Sequence, residues 1–163
     1  FQADERGPYF IDLHDKDILD IGGGPVSLLL KASKNSRRTV ADPCDYPAWV
    51  GERYKAQGID YNQIKGEDVD TITKDVKYDE VWIYNCLQHV DDPEKIIQNA
   101  KNALKSGGVL RIFEWINMPT NTAHPHSLTK ESLDAWIGQS GGTASLSESG
   151  CFGEVYFGAF TVN

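Results

Sequence analysis

Three consecutive glycines, Gly22 to Gly24, follow a short apolar segment near the start of the chain. Glycines at such a turn let a ligand approach the backbone and expose amide donors, although a tight strand-to-helix turn would explain them equally well. Asp42 lies 20 residues after Gly22, at the end of a second apolar segment, where a carboxylate can accept hydrogen bonds from two ribose hydroxyls. Glu67 adds an acid after a third segment. Together these residues predict a ribose and adenine pocket, and the acids favour a cationic cofactor over a pyrophosphate.

Histidine could supply acid–base chemistry here, because imidazole is largely neutral at pH 7 and can accept a proton. His89 follows the predicted fourth strand and is the candidate base, with a structural bond to a neighbouring loop as the equal alternative. His124 and His126 are further candidates for substrate contact, but their spacing offers no third ligand, so we expect no metal site. Glu114, near the end of the fifth strand, could contact a substrate or support a residue that does.

These residues need a scaffold, and the chain alternates apolar segments with helical periodicity. That alternation predicts an α/β domain with a mainly parallel sheet. Strands are predicted over residues 17–21, 38–41, 60–65, 78–85, 109–116, 143–147 and 155–162. A tight turn at Ser149-Gly150 joins the last two strands, which must then be antiparallel neighbours.

Four helices are predicted between these strands. One begins at Pro25 and turns Leu28, Leu29 and Ala32 inward, and the second spans residues 47–56. The remaining two are a helix capped by Asp92, carrying Ile96, Ile97, Ala100, Ala103 and Leu104 and stopped by Gly107-Gly108, and a helix capped by Thr129, carrying Leu133, Trp136 and Ile137. Ligands of open α/β sheets bind beyond the carboxyl ends of the strands, which is where the unusual residues collect.

Composition narrows the function classes. The 163 residues carry a net charge of −8, with 40% hydrophobic and 25% charged residues, which predicts one globular domain over residues 1–163. An acidic chain argues against an unaided nucleic-acid binder or an anionic-membrane binder, and no apolar run is long enough to span a membrane. Three cysteines without a CxxC pair favour reduced thiols, so we expect a cytoplasmic protein.

Several segments, in this order and at these spacings, carry a family resemblance. They are Leu19–Pro25, Val40–Asp42, Gly66–Asp68, Tyr78–Val81, Leu87–Pro93, Leu104–Leu110, and His124–Thr129 with Ser132-Leu133. From Asp17 onward the chain resembles the class I S-adenosylmethionine-dependent methyltransferases. The resemblance, with right-handed crossovers, implies a Rossmann-like, doubly wound seven-stranded sheet of order 3-2-1-4-5-7-6 with strand 7 antiparallel. It also implies in-line transfer of a methyl group from S-adenosyl-L-methionine to an O, N or C atom of a small-molecule acceptor, leaving S-adenosyl-L-homocysteine.

The resemblance also implies roles for individual residues. The implied cofactor contacts are Asp20, Gly22, Gly23, Gly24 and Asn85 around the methionine end, Asp42 on the ribose diol, Pro43 against the adenine, Glu67 near the adenine amino group and the backbone amide of Asp68 on the ring. Two positions depart from the family pattern. Val26 replaces the usual third glycine, and Glu67 is one methylene longer than the more frequent Asp.

Two other function classes stay open. The chain could be a non-catalytic, methyltransferase-like cofactor-binding or scaffold domain of a larger protein. It could also be a nicotinamide-dependent oxidoreductase, although Gly22-x-Gly24-x-x-Ser27 lacks the third glycine of that fingerprint and an antiparallel last pair is not expected there. Binding assays with S-adenosyl-L-methionine and a nicotinamide cofactor separate the methyltransferase from the oxidoreductase, whereas binding alone does not prove turnover.

The start of the sequence gives a further expectation. The chain begins at Phe1 rather than Met, which indicates an excised or processed piece, and only Phe1 to Lys16 precede the first strand. Gly7 and Pro8 disfavour a long helix there. We therefore expect an open acceptor pocket that a missing N-terminal segment or a partner subunit, as in a homodimer, would close.

Overall fold

A single mixed sheet organises the part of the chain that the computed structural model describes, residues 10–34, 36–146 and 153–163, and in these residues it has seven strands. The strands are β1 Ile18–Ile21, β2 Arg38–Ala41, β3 Asp60–Asn62, β4 Tyr78–Tyr84, β5 Leu104–Ile116, β6 Gly142–Leu146 and β7 Gly153–Thr161. Their order is β3-β2-β1-β4-β5-β7-β6; β1 to β5 pair in parallel, and β7 is antiparallel to β5 and β6. The predicted order and strand directions are confirmed.

The helices lie on both faces of this sheet. They are α1 Ala48–Ala56, α2 Asp70–Thr73, α3 Pro93–Ala103 and α4 Lys130–Ile137. Both predicted caps are confirmed, since the Asp92 carboxylate accepts from the Lys95 amide at 2.9 Å and Thr129 forms a capping box with Ser132. None of the helices in the described residues is long and apolar enough to cross a membrane.

Two apolar cores explain why the helices remain in place. One lies between the sheet and helices α3 and α4, where Ile96, Ile97 and Leu133 are fully buried. The other lies on the opposite face, where α1 covers β1 and β2 through Val50 and Tyr54. Burial on both faces accounts for the central strand β1, which is apolar except for Asp20 and is buried at every position.

The predicted helix from Pro25 is wrong. Two short 3-10 helices, Gly24–Val26 and Leu28–Lys31, replace it, and Leu28 is half exposed although Leu29 and Ala32 are buried as predicted. The break falls at Ser27, whose backbone is extended with φ −58° and ψ 147°. The Ser27 amide donates to the Tyr54 hydroxyl at 2.9 Å, and this bond to a residue outside the segment takes the place of a helical hydrogen bond.

The glycines after α3 also act differently from the prediction. The helix ends at Ala103 and β5 begins at Leu104, so Gly107-Gly108 lie inside the strand rather than at the helix end. Gly107 has a φ of +76°, and the pairing of β4 with β5 shifts register in this region, as a β-bulge does. The predicted third strand is shorter and ends at Asn62. The predicted turn at Ser149-Gly150 and residues 1–9 of the N-terminal segment lie outside the described residues.

Candidate active site

A cleft of about 420 Å³ opens at the carboxyl ends of β1, β2 and β4. Many of the predicted site residues line it, namely Gly22, Gly24, Asp42, Pro43, Glu67, Asn85 and His89. Asp20 and Gly23 line a neighbouring cleft instead, which shares Gly22 and also has Tyr84 and Phe113 in its wall. Asp68 is exposed at the end of the 3-10 helix Gly66–Asp68. The sequence pattern therefore gathers most, but not all, of its candidates at one cleft.

Two glycines of the turn have different surroundings: at Gly22 the packing leaves no room for a side chain, whereas Gly24 faces open space. A Cβ atom on Gly22 would lie 2.5 Å from the Cys86 Cβ atom, so the turn and the end of β4 can touch only through a glycine. At Gly24 the nearest atom to such a Cβ is the Tyr46 hydroxyl at 3.9 Å, on the cleft side. Both residues have positive φ, +74° and +62°. Gly24 therefore leaves room for a ligand, whereas Gly22 closes the core beneath it.

Replacing Gly22 by alanine is expected to lower the free energy of unfolding by roughly 2–4 kcal/mol, because a strained φ and a clash with Cys86 add together. The matched control is Gly138→Ala, because Gly138 has a φ of +81° and no atom within 4 Å of its Cβ position. That control should cost only about 1 kcal/mol. Urea unfolding of the two variants checks this, and equal losses would show that the Cys86 contact relaxes freely.

Asp42 ties the end of β2 to the glycine turn. Its buried carboxylate accepts from the Gly24 amide at 2.9 Å and from the Cys44 amide at 3.0 Å, one bond to each oxygen. A carboxylate has about four acceptor sites, so each oxygen can still accept a further hydrogen bond. Asp42 is thus held rigidly while it can still receive two hydroxyl groups from a ligand.

Asp20 is bonded to the turn rather than directed into the larger cleft. The Ser27 hydroxyl donates to its carboxylate at 2.5 Å. Burial raises the pKa of Asp20 to about 6, against the hydrogen bond from Ser27, and the nearby charge of Asp42 adds to the rise. Tyr54 supports the same turn from α1, because its hydroxyl donates to the Gly24 carbonyl at 2.6 Å. Sequence reasoning missed Tyr54, since nothing local marks a tyrosine 30 residues away as a partner of the turn.

Glu67 joins the cleft to the start of α3. Its carboxylate accepts from the Asp91 and Asp92 amides at 2.9 and 3.0 Å, and Asn99 donates to its backbone carbonyl at 2.8 Å. Lys65 lies at the mouth of the cleft and pairs with Asp91 at 2.6 Å. The acid predicted beside an adenine therefore also fixes the loop that borders that end of the cleft.

The turn after β4 carries Asn85 and His89. Asn85 has a φ of +55°, and its side-chain oxygen accepts from the Gln88 amide nitrogen at 3.0 Å. His89 Nδ1 lies 2.8 Å from the Ala123 carbonyl oxygen, which can only accept, so in the neutral ring Nδ1 carries the proton and Nε2 the lone pair. His89 therefore makes the predicted structural bond to a loop and still presents a basic nitrogen, which lies 3.4 Å from Gln88 Nε2.

Two further histidines, His124 and His126, lie in the loop before α4. The rings of His89 and His124 are 4.5 Å apart between centroids, and His126 donates to the Val90 carbonyl at 2.8 Å. No group of three His, Cys, Asp or Glu side chains that could hold a metal ion occurs among the described residues.

Comparison with known proteins identifies the family. The family described as a methyltransferase domain matches residues 19–112, which is more than half of the chain. The chain belongs to this methyltransferase domain family. The match covers the glycine turn, Asp42, Glu67 and the turn after β4, so the family resemblance that the sequence motifs carry is confirmed.

Two relatives and one solved structure show how far this methyltransferase domain is shared. The chain is 34% identical over 112 residues to the ubiquinone biosynthesis O-methyltransferase of Actinobacillus pleuropneumoniae serotype 7 (strain AP76), and 36% identical over 112 residues to that of Histophilus somni (strain 2336). Each alignment covers 64% of this chain and 47% of the relative, so the chain spans about half the length of these curated relatives. The N-methyltransferase NodS of Bradyrhizobium japonicum WM9 shares the fold, with a TM-score of 0.67 at 15% identity over 94% of this chain and 79% of that one.

Proposed function

We propose that this methyltransferase domain binds S-adenosyl-L-methionine in the cleft beside the glycine turn and transfers its methyl group to an O, N or C atom of a small-molecule acceptor. The observation that carries the proposal is that the Asp42 carboxylate bonds to the amide of Gly24, beside which there is open space for a ligand. Family membership supports it, and the named relatives are O-methyltransferases. The structure of NodS is described as a complex with S-adenosyl-L-homocysteine, the product expected here.

The residues that line the cleft fit this cofactor. Gly24 leaves space beside the backbone, and the carboxylate of Asp42 can accept the two hydroxyls of a ribose. Lys65 pairs with Asp91, and Asp42 and Glu67 add negative charge to the same cleft, so its lining suits a cationic cofactor better than a pyrophosphate. The proposed contacts are Asp20, Gly22, Gly23, Gly24 and Asn85 at the methionine end, Asp42 at the ribose, and Pro43 and Glu67 at the adenine, all of which line the two clefts. The backbone amide of Asp68, an exposed residue that follows Glu67, is proposed as a further contact of the adenine.

The protein has little bond chemistry to supply, because the sulfonium of the bound cofactor already activates the methyl group. The contribution of this chain is to align the acceptor and to take its proton. The lone pair on Nε2 of His89 is the candidate proton acceptor, since Nδ1 is engaged with Ala123. A base is needed when the nucleophile is a hydroxyl, so His89 favours oxygen as the acceptor atom within the proposed set.

Replacing Asp42 by alanine is expected to weaken S-adenosyl-L-methionine binding by roughly 1.5–3 kcal/mol, the scale of hydrogen bonds to a charged group. The matched control is Asp45→Ala, which removes the same charge from an exposed neighbour outside the cleft. Titration calorimetry measures both affinities. Unchanged affinity in Asp42→Ala would show that Asp42 does not contact the cofactor. Equal weakening in Asp45→Ala would show that the effect comes from net charge alone.

A methyl-transfer screen tests the function as a whole. The chain is incubated with label in the methyl group of the cofactor and with fractionated metabolite pools, and the labelled products are identified. Label in a small molecule identifies the acceptor and its atom. Tight binding of the cofactor without transfer to any pool would instead support the non-catalytic scaffold.

We further propose that residues 1–163 form one domain and that its acceptor side is closed by a preceding segment or by a second copy in a homodimer. Closure would exclude water from the cleft and hold the nucleophile in line. Transfer rates of this chain and of any longer form of it, with the mass of each in solution, test the proposal. Equal rates with a monomeric mass would contradict it.

A further inference from the structure

A fully buried carboxyl group occupies a core position of β5. Leu110, Ile112 and Ile116 alternate on the face of this strand that packs against α3 and α4, and Glu114 lies in the same row with no exposed surface. Among the described residues no basic side chain forms an ion pair with it. Burying such a group in place of a leucine or isoleucine costs stability unless hydrogen bonds offset the loss of water.

The hydrogen bonds of Glu114 all reach the turn after β4. Its Oε1 atom accepts from the Cys86 amide at 2.9 Å and from the Leu87 amide at 3.1 Å, while Oε2 has no partner. These amides begin the 3-10 helix Leu87–His89, which no side chain of its own caps. The left-handed backbone of Asn85 turns the chain at this point. Glu114 therefore does from a neighbouring strand what a capping residue does locally.

The turn that Glu114 holds carries both functional side chains of this strand end. Asn85 and His89 both line the cleft, and Gln88 links them, since its amide nitrogen is 3.0 Å from Asn85 Oδ1 and 3.4 Å from His89 Nε2. Cys86 packs against Gly22 between them. Because these residues share one short turn, a change in its backbone moves the base and the cofactor wall together.

We propose that Glu114 is a positioning residue for methyl transfer, which fixes the turn after β4 so that Nε2 of His89 meets the acceptor. This inference rests on the proposed function and deepens it. A displacement of about 1 Å at a reacting group can cost about a hundredfold in rate. The two hydrogen bonds to the turn can therefore offset, in catalytic rate, the stability that is lost by burying the carboxyl group. A leucine at this position would fill the core and leave both amides without an acceptor.

Three variants separate positioning from packing. Glu114→Gln keeps an oxygen that accepts from both amides, Glu114→Leu removes it, and Ile112→Ala lowers stability on the same face of β5 without touching the turn. We expect kcat to fall at least about tenfold in Glu114→Leu and to stay within about threefold of the native value in Glu114→Gln and in Ile112→Ala. Glu114→Asp is one methylene too short to reach the amides and serves if the leucine variant does not fold.

A double-mutant cycle with His89→Ala shows whether Glu114 acts through the base. The further loss of kcat on adding Glu114→Leu should shrink to less than about threefold in that background, because the group being positioned is already absent. Equal loss in both backgrounds, or a loss no larger than that of Ile112→Ala, would overturn the inference. A merely structural role would leave the two effects independent.

A measurement without turnover keeps this inference distinct from the proposed function. The imidazole nitrogens of His89 are followed by NMR in the full chain and assigned by their absence in His89→Gln. The native chain and Glu114→Gln should show the single Nδ1–H form, whereas Glu114→Leu should show a mixture of forms because the alignment with Ala123 is lost. If the native chain neither binds S-adenosyl-L-methionine nor transfers a methyl group, the proposed function is wrong. A change of His89 from one imidazole form to a mixture in Glu114→Leu would still support the positioning role. An unchanged His89 signal in Glu114→Leu would overturn the positioning role even in an active enzyme.

Discussion

Replacing His89 by alanine is expected to lower kcat by about 10²–10⁴-fold while the affinity for S-adenosyl-L-methionine stays within about twofold. The split follows from the geometry of the turn after β4. His89 bonds to the Ala123 carbonyl through Nδ1 and leaves Nε2 at the cleft, whereas the proposed cofactor contacts of Gly24 and Asp42 do not depend on it. Turnover measured with label and affinity measured by calorimetry separate the two effects.

The matched control is His126→Ala. His126 also donates from its ring to a backbone carbonyl, that of Val90 at 2.8 Å, so this variant loses a comparable bond between the same two loops. Its kcat should stay within about threefold of the native value, since it supplies no base. An equal loss of kcat in His89→Ala and His126→Ala would show that His89 has only a structural role.

Most of the fold followed from the sequence because it depends on local patterns. The apolar row of α3 and its Asp92 cap lie within one helix, and the short buried strands β1 and β2 are followed directly by Gly22 and Asp42. The antiparallel β7 followed from a short connection and from the family resemblance. The gathering of Gly24, Asp42 and Glu67 could be predicted for the same reason, since the carboxyl ends of parallel strands meet at one edge.

What could not be predicted depends on bonds between distant positions. The extended backbone at Ser27, which replaced a helix by two short turns, is fixed by Tyr54 on α1 and by the carboxylate of Asp20. Glu114 reaches amides 27 and 28 positions away, and its only sign in the sequence is an acid among alternating apolar residues. Local sequence propensities do not predict these hydrogen bonds, because the residues come together only once the sheet has formed.

The folded chain without cofactor is expected to lose stability as the pH rises from about 5 to 8. Burial raises the pKa of Glu114 from 4.5 to about 8, and the bonds from the Cys86 and Leu87 amides offset only part of this rise. Burial likewise raises the pKa of Asp20 from 3.8 to about 6. The folded state thus holds protons that the unfolded chain has already released. The stabilisation is fully present below the unfolded pKa values and is lost as the pH rises through the folded ones.

The acids with lowered pKa values act in a different window. Burial would raise the pKa of Glu80, but hydrogen bonds from Arg111, Lys16 and Trp82 outweigh it and lower that pKa to about 2. The contribution of Glu80 is therefore present above its unfolded value and is lost only in acid, well below the range in which Glu114 titrates. Above about pH 7, where Asp20 is largely ionised in the folded state too, Glu114 dominates the loss among the carboxyl groups with raised pKa values.

Glu114→Gln isolates this effect, because glutamine keeps the oxygen that accepts from both amides and cannot ionise. The native free energy of unfolding, from urea titrations between pH 5 and 9, should fall by roughly 1 kcal/mol per pH unit near pH 7 beyond any fall in the variant. The variant should be the more stable protein above pH 8. Glu52→Gln removes an exposed carboxylate from α1 and should keep the native slope. A native slope that persists in Glu114→Gln would assign it to another group, and Glu114 would then hold the turn after β4 as a carboxylate rather than as a neutral acid.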